Sequence, residues 1–257
     1  TIPAMISETG AVPGIKVDTG AKDLANSLDE KVTEGLDGLR ERLKKYYELG
    51  ARFTKWRGVY NIGEKYPSKL AINSNAHALA RYSALVQECG MVPIVEPEVL
   101  MDGDHSADDC LIKTSEVIQK CFEELLIHKI DLTGIILKPN MILAGNKSKN
   151  KISNEEVSSK TLECLKKSVP NEVPGIAFLS GGQSEIEATE NLNLINKNNN
   201  TNFIMTYSYG RALQQSALKF WAGDIKNIEG TQNIFNHRAR MNTLAAQGKW
   251  SKELENK

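Results

Sequence analysis

Gly134-Ile135-Ile136-Leu137-Lys138-Pro139-Asn140 is an apolar run that ends on two polar side chains, two positions apart, just before a loop. In an extended strand residues i and i+2 share a face, so Lys138 and Asn140 leave the run on one side. The same pattern occurs three times upstream: Lys16 with Asp18, Lys55 with Arg57, and Glu96 with Glu98. A lone Lys or Glu at a strand end is ordinarily a solvated rim residue. Four strands ending this way put three lysines, an arginine and three carboxylates around one opening. Glu96 is the hardest to dismiss, because it shares parity with Ile94 in Val92-Pro93-Ile94-Val95-Glu96, and a carboxylate among buried neighbours needs a partner or a task.

Six segments read as buried strands: 14–18, 52–57, 92–98, 134–138, 175–179 and 203–208. Each is short, mostly apolar or β-branched at its start, and flanked by Gly or Pro. Helical stripes separate them. Leu36, Leu39, Leu43 and Tyr46 stop at Gly50; Ala76, Leu79, Ala80 and Ser83 stop before Gly90; Val117, Ile118, Cys121, Phe122 and Leu125 mark a third helix. Ser153 with Glu156 and Ser184 with Glu187 have the spacing of capping boxes. Asn198-Asn199-Asn200 reads as a polar loop tip, and a last helix carries Ile234, Arg238, Met241 and Ala245. Lys16, Lys55, Glu96, Lys138 and Ser180 follow one another at intervals of 39, 41, 42 and 42 residues. Strand and helix alternating at that rhythm require a parallel sheet. An open doubly wound sheet and a closed barrel both fit it. Charge at the C-terminal ends of successive strands favours an α/β TIM barrel, which keeps its chemistry there.

The 257 residues, 40% hydrophobic and 25% charged, have the size and composition of one large globular domain. Thirty-two basic residues balance thirty-two acidic ones. This argues against a general nucleic-acid or membrane-surface role and leaves room for a local cationic pocket. Cys89, Cys110, Cys121 and Cys164 form no CxxC pair and fall in helical segments, where free Cys acts as a small buried hydrophobe. With no membrane-length apolar run and no secretory signal, the expected address is the cytoplasm. The sequons at Asn146 and Asn199 then read as chance matches.

Two further strands end in loops suited to an anion. Leu179-Ser180-Gly181-Gly182-Gln183 and Tyr207-Ser208-Tyr209-Gly210-Arg211 offer glycine amides, hydroxyls and a guanidinium, each leading into a helix. Glycine lets the backbone approach a ligand, helix N-termini favour anions, and Arg211 can grip a phosphate in bidentate fashion. Either loop alone is a weak signal; together, on the last two strands, they are a candidate phosphate site. Two ammonium groups facing each other across the opening would disfavour protonation and free a nucleophilic amine. Such an amine can form an iminium with a ketone, an electron sink for breaking the adjacent carbon–carbon bond, with carboxylates as acid and base.

Gly14-Ile15-Lys16-Val17-Asp18, Lys55-Trp56-Arg57, Val95-Glu96-Pro97-Glu98, Lys138-Pro139-Asn140-Met141, Leu179-Ser180-Gly181-Gly182-Gln183-Ser184 and Ser208-Tyr209-Gly210-Arg211-Ala212 stand in the order and spacing of a known family. From about Gly14 to Lys249 the chain resembles the class I fructose-bisphosphate aldolases. The resemblance implies a (β/α)8 barrel, with about six units in this chain, that cleaves fructose 1,6-bisphosphate reversibly to dihydroxyacetone phosphate and glyceraldehyde 3-phosphate. It implies Lys138 as the Schiff-base lysine, Lys55 as its neighbour in proton transfer and Glu96 as acid/base for carbinolamine dehydration. Lys16 and Arg57 correspond to substrate- and phosphate-binding groups, and Asp18 and Glu98 to supporting charges. Ser180, Gly181, Ser208, Gly210 and Arg211 correspond to the phosphate loops. No metal or separate cofactor is implied.

The resemblance also implies a homotetramer and allows cytoskeletal binding partners. Two of the family's strands, its first-strand aspartate, an N-terminal phosphate-binding arginine and a C-terminal tyrosine tail have no counterpart here, from which a longer parent chain is expected. His105, in Asp102-Gly103-Asp104-His105, reads as part of a polar turn. His77, His128 and His237 lie in or beside helices with no converging partners, and no histidines end strands, which argues against a metal-dependent aldol route. Trp56 and Trp221 read as packing residues. Two alternatives stay open: another Schiff-base barrel lyase or transferase acting on a substrate with one phosphate, and a non-catalytic aldolase-like binding protein. Lys16 and Arg57 opposite Arg211 favour a substrate with two phosphates.

Overall fold

A computed structural model describes residues 1–256. Along the chain run α1 (Ile2–Glu8), β1 (Gly14–Lys16), β2 (Gly20–Asp23), β3 (Lys31–Glu34), α2 (Leu39–Glu48), β4 (Phe53–Tyr60), α3 (Lys69–Glu88), β5 (Val92–Val99) and α4 (Ala107–Ile127). There follow β6 (Ile136–Leu137), α5 (Asn154–Ser168), β7 (Gly175–Phe178), α6 (Glu185–Lys197), β8 (Ile204–Tyr207), α7 (Arg211–Trp221) and α8 (Ile228–Ala246).

All six expected strands are present, and they form one parallel sheet in the order β1-β4-β5-β6-β7-β8. Every strand of this sheet lies beside its predecessor, with no reversal of direction. A doubly wound sheet reverses at a switch point, whereas addition in one direction builds the wall of a TIM barrel. Successive helices pack on one another outside that wall, α3 on α4, α4 on α5 and α5 on α6. Trp56, Leu79, Tyr82, Val95, Leu137, Ile176 and Phe178 fill the layer between, all fully buried. Burying a side chain such as Leu or Phe contributes about 1.5–3 kcal/mol.

The helix signals act as their chemistry dictates. Both expected capping boxes form, Ser153 with Glu156 and Ser184 with Glu187, and Ser106 with Asp109 adds a third at α4. Gly50 (φ +110°) and Gly90 (φ +70°) close α2 and α3 in left-handed conformation. Leu36 lies before α2 rather than inside it, yet still packs on the core. Cys110, Cys121 and Cys164 are buried, and burial pushes the thiols of Cys121 and Cys164 up to about 12 and about 11. They are inert core residues, as expected.

Some features differ from expectation. The antiparallel hairpin β2–β3 was not anticipated, because its strands are polar and carry no apolar alternation. It is held by side chains from elsewhere: Thr33 N–H donates to Asn75 Oδ1 (3.1 Å), Thr33 Oγ1 to the Arg57 carbonyl (2.6 Å), and Asn75 Nδ2 to the Lys31 carbonyl (2.8 Å). The segment 134–138 contributes only two strand residues, since Asp131 caps a 3-10 turn at Leu132–Gly134. Trp56 is a packing residue, but Trp221 is 43% exposed at the end of α7, beside exposed Leu218 and Phe220.

Candidate active site

The parallel ladder carries the functional side chains to the C-terminal edge of the sheet. Backbone bonds run from Val17 N–H to Lys55 O (3.1 Å), Lys138 to Val95 (2.8 Å), Leu179 to Pro139 (3.1 Å) and Ser208 to Phe178 (2.8 Å). Each strand end is thereby held against its neighbour, and the polar pairs project from a rigid edge.

A chain of alternating charges crosses this edge. Lys16 Nζ lies 2.5 Å from Asp18 Oδ1; Lys55 Nζ lies 3.9 Å from Asp18 Oδ2 and 2.9 Å from Glu96 Oε2; Lys138 Nζ lies 3.0 Å from Glu96 Oε1. The two central lysines were expected to face each other. Instead Glu96, 3% exposed, stands between them with one oxygen toward each amine. Two cations confined at one edge attract the nearest carboxylate, and strand parity supplies Glu96 at that level. Its Oε2 has no aligned hydrogen bond despite the short distance to Lys55. Attraction rather than a directional bond holds it there.

Beside this chain opens a cavity of about 540 Å³, lined by Arg57, Glu96, Glu98, Lys138, Ser180, Gly181, Ser208, Gly210 and Arg211 among the expected residues. Arg57 Nε donates to Glu98. Burial works against the Arg57 charge, but the Glu98 carboxylate outweighs it and holds the guanidinium above its ordinary value. Arg211 makes no ion pair or side-chain hydrogen bond among the described residues, so it presents an unneutralised cation. It stands at the first turn of α7, whose N-cap Gly210 supplies no side-chain cap. The first amides of a helix have no intrahelical partner. Next to them Gly181 (φ +56°) and Gly182 (φ +79°) take consecutive left-handed conformations. Tyr209 is buried and donates to the Ala188 carbonyl (2.9 Å), which fixes Ser208 and Gly210 on the cavity side.

Four expected residues do not line the cavity. Lys16 is turned onto Asp18, donating also to its carbonyl (2.8 Å), while Asp18 and Lys55 stand behind Glu96. Asp18 also accepts from the backbone of Gly20 (3.1 Å) and Arg57 (3.3 Å), which makes it a brace between strand ends. Asn140 points away from the opening: it accepts from Val99 N–H (3.0 Å) and donates to Thr114 Oγ1 (3.1 Å).

Sequence reasoning missed Leu100, Met101, Asp102 and Asn146 on the cavity wall. They lie on irregular loops where parity gives no signal. Asn146 Nδ2 donates to Asp102 (3.1 Å) and its Oδ1 accepts from Gly103 N–H (3.1 Å), so the sequon asparagine ties two loops together. The histidines also differ from expectation. Glu124 receives both His77 and His128, and His237 lies 3.3 Å from Glu255. His77–Glu124 and His237–Glu255 cross between elements, which spacing along one helix does not show, whereas Glu124 and His128 stand four apart at the end of α4.

The class-I fructose-bisphosphate aldolase family model matches residues 1–257. A probable class 1 fructose-bisphosphate aldolase of Xanthomonas campestris pv. campestris is 50% identical over 246 residues, which is 95% of this chain and 74% of the relative. Cytosolic fructose-bisphosphate aldolase 4 of Arabidopsis thaliana is 49% identical, over 95% of this chain and 62% of its own length. The aldolase of Plasmodium falciparum, solved with TRAP and a small-molecule inhibitor, superposes with a TM-score of 0.95 at 43% identity, covering 96% of this chain and 72% of that one. Among the described residues no helix is long and apolar enough to cross a membrane. The chain belongs to the class-I fructose-bisphosphate aldolases, a family of metal-independent carbon–carbon lyases.

Proposed function

We propose that Lys138 is the covalent nucleophile of the aldol cleavage, and that Glu96 moves the protons of Schiff-base formation. The observation that carries this reading is the placement of Glu96 Oε1 3.0 Å from Lys138 Nζ at the wall of the cavity. Lys138 passes a proton to Glu96, and the free amine adds to the ketose carbonyl to give a carbinolamine. Glu96 donates a proton to the departing hydroxyl, water leaves, and an iminium forms. The bond between the third and fourth carbons then breaks, its electron pair passes to the iminium nitrogen as an enamine, and the aldehyde departs as its hydroxyl proton passes to the Glu96 carboxylate. Protonation of the enamine carbon and hydrolysis of the iminium release dihydroxyacetone phosphate and restore Lys138.

Lys55, 2.9 Å from the other Glu96 oxygen, stabilises the carboxylate form and returns it to charge after each transfer. Arg211 with the Gly181, Ser180, Ser208 and Gly210 loops binds one phosphate, and Arg57 binds the second from across the cavity. Asp18 and Glu98 hold Lys55 and Arg57 in place. Lys16 joins the second phosphate only if it leaves Asp18. The same reading extends to a single barrel domain, a homotetramer and a cytoplasmic address, the last in keeping with the cytosolic relative of Arabidopsis. Lys138→Met tests the assignment: turnover of fructose 1,6-bisphosphate is expected to vanish with the fold intact, and undiminished cleavage would refute it.

A further inference from the structure

At the end of the sheet opposite the cavity, three side chains converge with the donor chemistry of a metal site. α4 leaves the C-terminal end of β5 and returns to the start of β6, so its last turn lies at that far end. It carries Glu124 and His128, which share a face because residues four apart on a helix are neighbours. α3 packs on α4 and brings in His77. The ligand atoms of the three residues all lie within 4.8 Å of one another. His77 Nδ1 is 3.4 Å from Glu124 Oε2, and His128 Nδ1 is 4.0 Å from the same oxygen. Two ligand atoms on a tetrahedral zinc ion, each about 2.0–2.2 Å from it, are roughly 3.4 Å apart. The His77–Glu124 edge therefore already has coordination spacing, and small side-chain rotations close the other two.

The surroundings suit this use. His128 Nδ1 lies 2.9 Å from the Glu124 carbonyl. As an N–H donor there it leaves the lone pair on Nε2, so Nε2, not the Nδ1 that lies 4.0 Å from Glu124 Oε2, is the ligand atom of His128. The two rings meet edge to face at 5.0 Å. The side chain of His77 is 53% exposed, which leaves an open approach and room for water in the fourth position. Two cations oppose binding: Lys120 Nζ lies 3.2 Å from Glu124 Oε1, and Arg81 lines a cavity with His128. They restrict Glu124 to one oxygen and limit the affinity. A plain hydrogen-bonded cluster would also pair Glu124 with Lys120. It does not by itself bring a second imidazole edge to face against His77.

We propose that His77, Glu124 and His128 form a binding site for a divalent transition-metal ion of the zinc type, which clamps α3 to α4. Imidazole and carboxylate donors suit Zn²⁺, Cu²⁺ and Ni²⁺. The test titrates Zn²⁺ into the full chain at neutral pH against a chromophoric chelator and follows the thermal midpoint in parallel. One Zn²⁺ equivalent is expected per chain, weakened at least about tenfold in His77→Ala and in His128→Gln, while His237→Ala binds as the wild type does. Zinc should raise the midpoint of the wild type and of His237→Ala, and leave that of His77→Ala unchanged. Because His77 is largely exposed, its variant retains the fold. No zinc bound by the wild type, or equal affinity in wild type and His77→Ala, overturns the proposal.

Discussion

Glutamine at position 96 keeps the size of a side chain that is 3% exposed, so Glu96→Gln changes charge and proton transfer without opening a cavity. The carboxylate lies 3.0 Å from Lys138 Nζ and 2.9 Å from Lys55 Nζ. At an effective dielectric near 20, each pair at that distance carries roughly 5 kcal/mol of Coulomb attraction. Much of this offsets the cost of removing the three charges from water. After the substitution Lys55 keeps only Asp18, at 3.9 Å, as a carboxylate partner. The net loss is about 3 kcal/mol, a fall of about 6–12 °C in the thermal midpoint for a chain of this size. The kinetic effect is separate. Removing a general acid/base slows the chemical step by about 10²- to 10⁴-fold, or about 3–5 kcal/mol of barrier. An NADH-coupled assay of fructose 1,6-bisphosphate cleavage should show kcat falling by that factor, with KM nearly unchanged because Arg57 and Arg211 are untouched. Combined with Lys138→Met the effect should not add, since the two groups act as one unit. A kcat within about threefold of the wild type, together with the lower midpoint, would leave Glu96 as a structural charge and refute the role assigned to it.

Two further outcomes are expected elsewhere in the fold. A methyl group at Gly145 would overlap the Gly103 carbonyl oxygen; Gly145→Ala should therefore cost about 1–3 kcal/mol in chemical denaturation and raise KM by displacing Asn146. Burial raises the Glu255 carboxyl, but hydrogen bonds from Arg238 and Trp250 outweigh it and hold the group below its ordinary 4.5. A lowered carboxyl contributes stability in full above that ordinary value and loses it as pH falls through the lowered one; the midpoint gap between wild type and Glu255→Gln should thus be constant near neutrality and close as the pH drops below 4.5.

The strands were legible because each is a short apolar run stopped by Gly or Pro, and the polar pairs at their ends were legible because strand parity is strict. Lys138, Glu96, Arg57 and Glu98 are found together on this basis. Parity alone could not predict that Glu96 separates the two lysines, since that depends on the stagger between neighbouring strands: Arg57 is level with Glu96, and Lys55 with Ile94. Nor could it tell Asn140 from a cavity residue. Pro139 follows the last strand residues of β6, and beyond it the chain turns Asn140 toward Thr114. The β2–β3 hairpin and the wall residues Asp102 and Asn146 were illegible because hydrogen bonds across some forty residues hold them, with no local periodicity. In the His77–Glu124–His128 cluster only the arrival of His77 was hidden, since helix packing brings it in while Glu124 and His128 stand four residues apart.

The central claim is that Lys138 forms the covalent bond to substrate. Borohydride reduction of the protein with dihydroxyacetone phosphate, followed by peptide mass spectrometry, tests it most directly. A reduced adduct on the peptide containing Lys138, absent from Lys138→Met, is the predicted result. A folded chain that yields no adduct, or yields it on Lys55 or Lys16, would contradict it.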